Sequence, residues 1–267
     1  MKGMRSYLGS MYPVTGFLLL LLAAVASYNL KVFPTSLLVA IAACSLLDAA
    51  ANKLFLKKGL KFPSSAVISG IIIGSIAPLN APLQVIFLAS AVAVASKYLI
   101  RIKGHHIFNP ATLGLLVSLW LFGLGDQWWA AAGSLNFLGF AIPLTLVLII
   151  ASYKADKLKV AIPFLLVTGV LYAATQFVGV PLTASGLLAF VSSMPYYFAF
   201  IMLSEPKTSP YAPRQQVVFG IAVAVAYFLL DFGHVRFPFF IALLAGNLAY
   251  SLHRSGFLQK NLQKKQQ

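Results

Sequence analysis

The chain has 267 residues, of which 60% are hydrophobic and only 9% charged, and its mean hydropathy is +0.88. Soluble globular domains carry roughly 25% charged residues, so this composition excludes an ordinary soluble protein. The formal net charge of +15 would indicate nucleic-acid binding if the cations formed a separate basic patch. They lie instead between apolar stretches and in the tails, so we expect no nucleic-acid partner.

Apolar stretches separated by charged residues, proline or glycine recur along the whole chain. A helix that crosses a bilayer needs about 20 mostly apolar residues, because its backbone polar groups find no water there. On this basis the sequence predicts ten spans, at residues 12–30, 34–51, 64–79, 82–100, 109–124, 137–153, 160–177, 183–203, 215–231 and 236–252. No interval between them could form a soluble core, so residues 1–267 are predicted to be a single polytopic membrane domain.

Lysine and arginine are distributed unevenly between alternate segments. If the ten spans alternate in direction, every lysine and arginine except Lys31 and Arg236 lies on the side that holds both termini. Cytoplasmic loops are enriched in these residues, so the sequence predicts that both termini are cytoplasmic. Trp128 and Trp129, beside Asp126 in an outer loop, are predicted to be interfacial anchors.

Ten spans divide into two halves of five, at residues 12–124 and 137–252, followed by a basic cytoplasmic tail at 253–267. An odd number of spans per half makes the second half run inverted relative to the first. Ser69-Gly70 in span three and Ser185-Gly186 in span eight occupy equivalent places in segments interrupted by glycine or proline. Interrupted helices at matching places indicate a central site, although small residues that only let helices pack closely give the same pattern. The predicted fold class is all-α, with about ten transmembrane helices in a 5+5 inverted repeat.

Few residues are available for catalysis. Five acidic residues, four histidines and Cys44 form neither a metal-ligand spacing nor a nucleophile motif, so we assign no catalytic residue and no metal site. A single cysteine also excludes an intramolecular disulfide.

The motif RIKGHHIFNPATLG, at residues 101–114, adjoins a predicted helix start. Asn109 is predicted to cap the helix that Pro110 begins, because its side chain accepts from free backbone amides and proline suits the first turn. Four basic side chains precede this start: Arg101, Lys103, His105 and His106. Together with the helix dipole they would favour an anionic group such as a phosphate, but cytoplasmic loops are basic without any ligand.

A second motif, MLSEPKTSP at residues 202–210, follows span eight. Glu205 is conspicuous in so acid-poor a chain, although it could simply pair with Lys207 or Arg214. Polar groups also occur within the membrane. Asp48 is a functional candidate unless it pairs with nearby Lys53, and Asn247 in span ten would ordinarily hold helices together.

Four blocks of the sequence resemble one family in order and spacing. They are SGIIIGSIAPLNAPLQ, GHHIFNPATLG, FAFIMLSEPKTSP and DFGHVRFPFFIALLAGNLAY, and the resemblance covers residues from about 66 to 252. They resemble the NqrB/RnfD family, whose members are membrane subunits of sodium-translocating NADH:quinone reductase and of the Rnf electron-transport complex.

This resemblance implies a ten-helix inverted repeat related in architecture to urea transporters, in a bacterial or archaeal cytoplasmic membrane. It implies a subunit that relays electrons through FMN or riboflavin, possible coupling to ion movement, and other membrane subunits and an extracytoplasmic flavoprotein as partners. The residues it assigns to cofactor binding are Ser69, Gly70, Asn109, Pro110, Thr112, Ser185, Gly186, Glu205, Thr208 and Asn247.

The sequence departs from the family at one point. Many members carry a motif of the Ser/Thr-Gly-Ala-Thr type, whose last threonine bears FMN, after the IFNPA helix. The corresponding segment here, FGLGDQWWAAAGSLNFLGF, has no threonine, and the surroundings of Thr112 and Thr183 do not match the motif. We therefore expect any flavin to be held non-covalently.

Two other functions stay open on the sequence. The same architecture would suit a small-solute or vitamin transporter with a midplane site. A structural membrane subunit without a cofactor is the third alternative.

Overall fold

The computed structural model describes residues 2–56, 63–102, 104–132, 146, 148–177 and 193–256. It is mostly helical, at 76%. The α-helices are α1 Lys2–Leu30, α2 Thr35–Leu56, α3 Ser64–Ile76, α4 Leu83–Leu99, α5 Pro110–Leu121, α6 Trp129–Ala132, α7 at 148–154, α8 Leu158–Phe177, α9 Ser193–Tyr197, α10 Pro213–Phe232 and α11 Pro238–Arg254. A π-helical turn, Phe198–Met202, continues α9.

A short hairpin interrupts the helical pattern. Strands β1 Arg101–Ile102 and β2 His105–His106 pair antiparallel, with Arg101 opposite His106. The all-α prediction missed it because two-residue strands leave no periodicity. Gly104, with φ of +80°, supplies the left-handed turn that joins them.

Three helices, α2, α8 and α10, are long and apolar enough to cross a membrane, and α1, α3, α4 and α5 contain shorter apolar helices. The chain is therefore a membrane protein. Predicted spans that fall on described residues coincide with helices. Residues 137–145 of predicted span six and 183–192 of predicted span eight lie outside the described residues.

Helix α3 is shorter than its predicted span of 64–79. Its 13 residues rise about 20 Å, less than the hydrocarbon core of about 30 Å. It ends because Ala77 adopts an extended backbone before Pro78, whose ring disfavours helical geometry in the preceding residue.

The segment after α5 binds the free end of α3. The amides of Gln127 and Trp128 both donate to the Ile76 carbonyl, and the indole Nε1 of Trp129 donates to the Gly74 carbonyl at 2.7 Å. Both tryptophans are 2% exposed. The prediction of interfacial anchors is therefore wrong, because these rings are buried and satisfy backbone groups of α3.

Aromatic rings form a continuous core beside Trp128. Tyr227 stacks on Phe239 with centroids 4.0 Å apart, and Phe239 contacts both Phe198 and Trp128. We call the aromatic cluster the set Trp128, Phe164, Tyr197, Phe198, Tyr227, Phe239 and Phe240. These rings join α8, α10, α11 and the π turn to the segment before α6.

Glycines bring helices into backbone contact. A Cβ on Gly114 of α5 would lie 2.2 Å from the Ala89 carbonyl oxygen of α4, and one on Gly220 of α10 would lie 2.3 Å from the Val160 carbonyl oxygen of α8. Only glycine allows this approach, which is characteristic of packing between membrane helices.

Helices α1 and α7 end in the same way. Lys31 and Asp156 both have positive φ, of 54° and 53°, in a left-handed cap. The next amide of each donates to a serine carbonyl five residues back, Val32 to Ser27 and Lys157 to Ser152. In both helices that serine is followed by a tyrosine, in SYNLKV and SYKADK.

Candidate functional site

A cavity opens between residues of the two predicted halves. Its empty space, including the part open to solvent, is about 670 Å³. The first half contributes Thr15, Ser65, Ile68, Ser69, Ile72, Asn109 and Pro110, and the second half contributes Ala151, Ala155, Phe200, Ile201, Ser204, Glu205 and Pro206. We call it the central pocket.

Asn109 stands where α5 begins at the pocket. Its side-chain oxygen Oδ1 accepts from the Thr112 amide at 3.0 Å, and Pro110 occupies the first helical turn, as predicted. Its Nδ2 donates to the Met202 carbonyl at 3.3 Å. One side chain therefore caps α5 and binds the last residue of the π turn.

Asn247 of α11 binds both motifs at once. Its Oδ1 accepts from the Asn109 amide at 3.0 Å, and its Nδ2 donates to the Thr208 carbonyl at 3.1 Å. Asn247 is 0% exposed, so the interpretation that it holds helices together is confirmed. It does so by linking the start of α5 to the loop after the π turn.

Glu205 lies in that loop and lines the pocket. Its Oε2 accepts from the Thr208 hydroxyl at 3.0 Å, and its Oε1 lies 3.6 Å from His106 Nε2. His106 of the hairpin is therefore a partner of Glu205 that we did not predict, and the charge of Lys207 also acts on this carboxylate. We call the asparagine network the set His106, Asn109, Glu205, Thr208 and Asn247, with the Met202 carbonyl.

The surroundings of Glu205 favour its ionised form. Burial raises the pKa of this carboxyl, but His106, Lys207 and the Thr208 hydroxyl together outweigh burial and hold the pKa below its usual value. The carboxylate therefore stays charged at neutral pH.

Cations gather outside the network. Burial lowers the pKa of His105, and the neighbouring charges of Arg254, His106, Arg101 and Lys207 lower it further. These groups come from the hairpin, the 203–212 loop and the end of α11. Because His106 lies 3.6 Å from Glu205, the 101–108 and 203–212 loops lie at the same end of the molecule.

Lys157 is 0% exposed where the chain enters α8. Its ammonium donates to the carbonyls of Ser209, at 3.3 Å, and Pro210, and lies 4.3 Å from the centre of the Tyr211 ring. Burial lowers its pKa to about 8. Lys157 thus fixes the start of α8 to the loop that carries Glu205.

Of the other residues predicted to bind a cofactor, some line the pocket and some do not. Ser69 lines the pocket, and its hydroxyl donates to the Ser65 carbonyl at 3.0 Å. Gly70 packs against α2, since a Cβ there would lie 2.6 Å from the Ile41 Cα.

Thr112 is fully buried, and its hydroxyl has no hydrogen-bond partner in the described structure. Ser185 and Gly186 lie outside the described residues.

Sequence reasoning missed several residues at this site. Ser204, whose hydroxyl donates to the Ala199 carbonyl at 2.7 Å, lines the pocket beside the π turn. A bond across five residues belongs to that wider turn, which no sequence pattern marks. Lys157 was counted only as a cytoplasmic cation, because its burial depends on the fold of the 203–212 loop.

Asp48 pairs differently from its predicted ion pair with Lys53. Its Oδ1 accepts from Lys97 Nζ at 2.8 Å and from the Tyr98 hydroxyl at 2.9 Å, and its Oδ2 accepts from Asn52 at 3.1 Å. Asp48 and Lys97 are 4% and 9% exposed. This buried pair joins α2 to α4. Neither residue is among those that line the central pocket.

Chemically, the pocket is lined by both apolar and polar side chains. The apolar ones include Ile68, Ile72, Phe200 and Ile201, and the polar ones include serine hydroxyls, the Asn109 amide and the Glu205 carboxylate. Across the part of the chain that the structure describes, no three His, Cys, Asp or Glu side chains come together to hold a metal ion. The arrangement suits binding of a partly polar molecule.

Comparison with known proteins gives no match, either to a protein-family model or to a curated protein.

Proposed function

We propose that this chain is the membrane subunit of a flavin-linked electron-transport complex, similar to the Rnf and sodium-translocating NADH:quinone reductase subunits. It holds FMN or riboflavin non-covalently in the central pocket and relays electrons to other subunits. The flavin supplies the redox chemistry, and the chain binds and orients it. The partners are other membrane subunits and an extracytoplasmic flavoprotein.

One observation carries this proposal: the four blocks of the resemblance converge. Ser69 of the first, Asn109 of the second and Glu205 of the third line the same pocket. Asn247 of the fourth binds the second and third blocks together. Residues far apart in sequence that enclose one cavity favour a shared ligand.

The chemistry of the lining residues matches that of a flavin ring. Ile68 and Phe200 offer apolar surface for the ring, and the polar lining residues offer groups for its hydrogen-bonding edge. The hydroxyl of Ser69 and the carboxylate of Glu205 would meet that edge.

Three features support the ten-span inverted repeat as the frame of this site. The Ser-Tyr caps of α1 and α7 occupy equivalent places in the two halves. Proline begins both α5 and α11, in Asn109-Pro110 and Phe237-Pro238. In addition, α2 packs on α4 as α8 packs on α10, and α5 contacts α11 between the halves. In this frame the pocket opens toward the cytoplasm of a bacterium or archaeon.

The test is purification of the full chain with its neighbouring subunits in mild detergent, followed by visible absorption spectra before and after reduction. We expect a flavin spectrum that bleaches on reduction. An assembled complex without flavin and without redox activity would contradict the proposal.

A second function, a small-solute or vitamin transporter, is favoured by the segment after α5, which lacks the threonine of the covalent FMN motif. Liposomes containing this chain alone would then take up urea, ammonium or riboflavin. No uptake of any of the three would argue against it.

A further inference from the structure

The polar side chains of the central pocket differ in what they leave available to a ligand. A serine hydroxyl has one proton to donate and two lone pairs to accept with. The hydroxyl proton of Ser69 is engaged by the Ser65 carbonyl, and that of Ser204 by the Ala199 carbonyl. Both oxygens therefore face the pocket as acceptors.

Ser152 of α7 uses part of this capacity. Its Oγ lies 3.2 Å from the Ser204 Oγ, and because Ser204 already donates to a carbonyl, Ser152 is the donor and leaves Ser204 one lone pair for a ligand. Asn109 is similarly occupied, because its Oδ1 caps α5 and its Nδ2 binds the Met202 carbonyl.

Glu205 is the strongest hydrogen-bond acceptor among the side chains that line the pocket. An ionised carboxylate has about four lone-pair positions. The Thr208 hydroxyl fills one, and His106 Nε2, at 3.6 Å, lies beyond hydrogen-bond distance. No lysine or arginine is among the pocket-lining side chains of the described residues. A pocket with these acceptors attracts a proton donor.

We propose that the central pocket selects its ligand through an N–H donor, which Glu205 accepts, with Ser69 and Ser204 as auxiliary acceptors. The ligand class is a neutral or cationic molecule with an imide, amide or amine N–H at one edge and an apolar body against Ile68, Ile72 and Phe200. This inference rests on the proposed function where the ligand is a flavin, whose ring carries one imide N–H.

The experiment compares riboflavin with 3-methylriboflavin, in which a methyl group replaces the imide hydrogen. Each is titrated into the purified full chain in nanodiscs, and the dissociation constant is read from quenching of flavin fluorescence. A hydrogen bond to a charged acceptor contributes more than one to a neutral acceptor, so we expect riboflavin to bind about 10- to 100-fold more tightly.

Variants distinguish the hydrogen bond from a steric effect of the methyl group. Glu205→Ala should bring the ratio of the two dissociation constants close to one, because the acceptor is gone. Glu205→Gln keeps the shape and a neutral acceptor oxygen, so the ratio should fall to about 2- to 10-fold. Glu205→Gln also tests the inference if Glu205→Ala does not fold. Asp231→Asn, at the opposite end of α10 from the 203–212 loop, is the matched control and should keep the wild-type ratio.

The outcomes separate this inference from the proposed function. Equal affinity of wild type for both flavins, or an unchanged ratio in both Glu205 variants, overturns the N–H inference while flavin binding stands. If neither flavin binds to the wild-type chain, the proposed function and the inference fall together.

Discussion

The asparagine network and the aromatic cluster both include α11 and the π turn, but they join these elements to the rest of the protein by different means. In the network, buried amides and a carboxylate bind specific backbone groups of separate elements beside a cavity. In the cluster, rings pack face to face or edge to face. Ring packing gives large stabilisation without directing a ligand, whereas the network fixes polar atoms at defined positions. We therefore expect the cluster to contribute mainly to stability and the network to the binding that we propose.

Trp128→Ala should have the largest effect on stability. Removing a buried tryptophan typically destabilises a protein by about 3–5 kcal/mol, through lost contacts and the cavity left behind. We expect a loss of this size in denaturant unfolding, with flavin affinity of the folded protein unchanged. Trp120→Ala is the matched control, since Trp120 is 59% exposed, and should cost under about 1 kcal/mol. A Trp128 variant that folded normally but lost flavin would contradict this division of roles.

Asn247→Leu should affect both properties. The Asn109 amide and the Thr208 carbonyl would lose their partners in a buried site, which costs about 2–4 kcal/mol in total. Flavin affinity should also fall, because the two motifs are no longer linked, and both effects are measured on the same detergent preparation. Asn52→Leu, which removes a bond within α2 only, should leave flavin affinity unchanged. Unchanged stability and affinity in Asn247→Leu would exclude a role for the network.

Asn109→Ala removes the cap of α5 and should destabilise the protein by about 1–2 kcal/mol. Asn109→Ser keeps a capping oxygen but loses the bond to Met202, so it separates the cap from the network. We expect the serine variant to recover most of the stability in thermal unfolding but not the flavin affinity. Equal affinities of the serine variant and wild type would show that the Met202 bond is irrelevant to the pocket.

Lys157 should make stability depend on pH by on the order of 1 kcal/mol. Its pKa is about 8 when folded and near 10.5 when unfolded, so above pH 8 the unfolded chain binds more protons. Stability should therefore rise between about pH 8 and 10, and this rise should be absent in Lys157→Met. Denaturant unfolding of both proteins at pH 7.5 and 9.5 measures it. Identical pH dependence of the two would show that Lys157 is not buried as an ammonium.

Much of this arrangement was readable from the sequence because local chemistry determines it. The described spans followed from hydropathy, and the cap by Asn109 followed from the preference of asparagine before a helical proline. The grouping of the 101–108 and 203–212 loops at one end of the molecule followed from the distribution of lysine and arginine.

What the sequence did not reveal depends on tertiary contacts. Glu205 pairs with His106, 99 positions earlier, and Asp48 pairs with Lys97, while nearer cations were the expected partners in both cases. The burial of Trp128 and Trp129 depends on the early end of α3. There the Ile76 carbonyl accepts from the backbone amides of Gln127 and Trp128, and the Gly74 carbonyl accepts from the Trp129 indole. Proximity in sequence is a poor guide to ion pairs once helices bring distant segments together.

The central claim is that the pocket bordered by Ser69, Asn109 and Glu205 holds the flavin. Its most direct test is the flavin content of the purified complex in wild type, Ser69→Phe and Ser69→Ala. A phenylalanine fills the pocket and an alanine leaves it open, so we predict that flavin is lost only in Ser69→Phe, with the same subunits assembled in all three. Equal flavin content in the three proteins, or none in wild type, would contradict it.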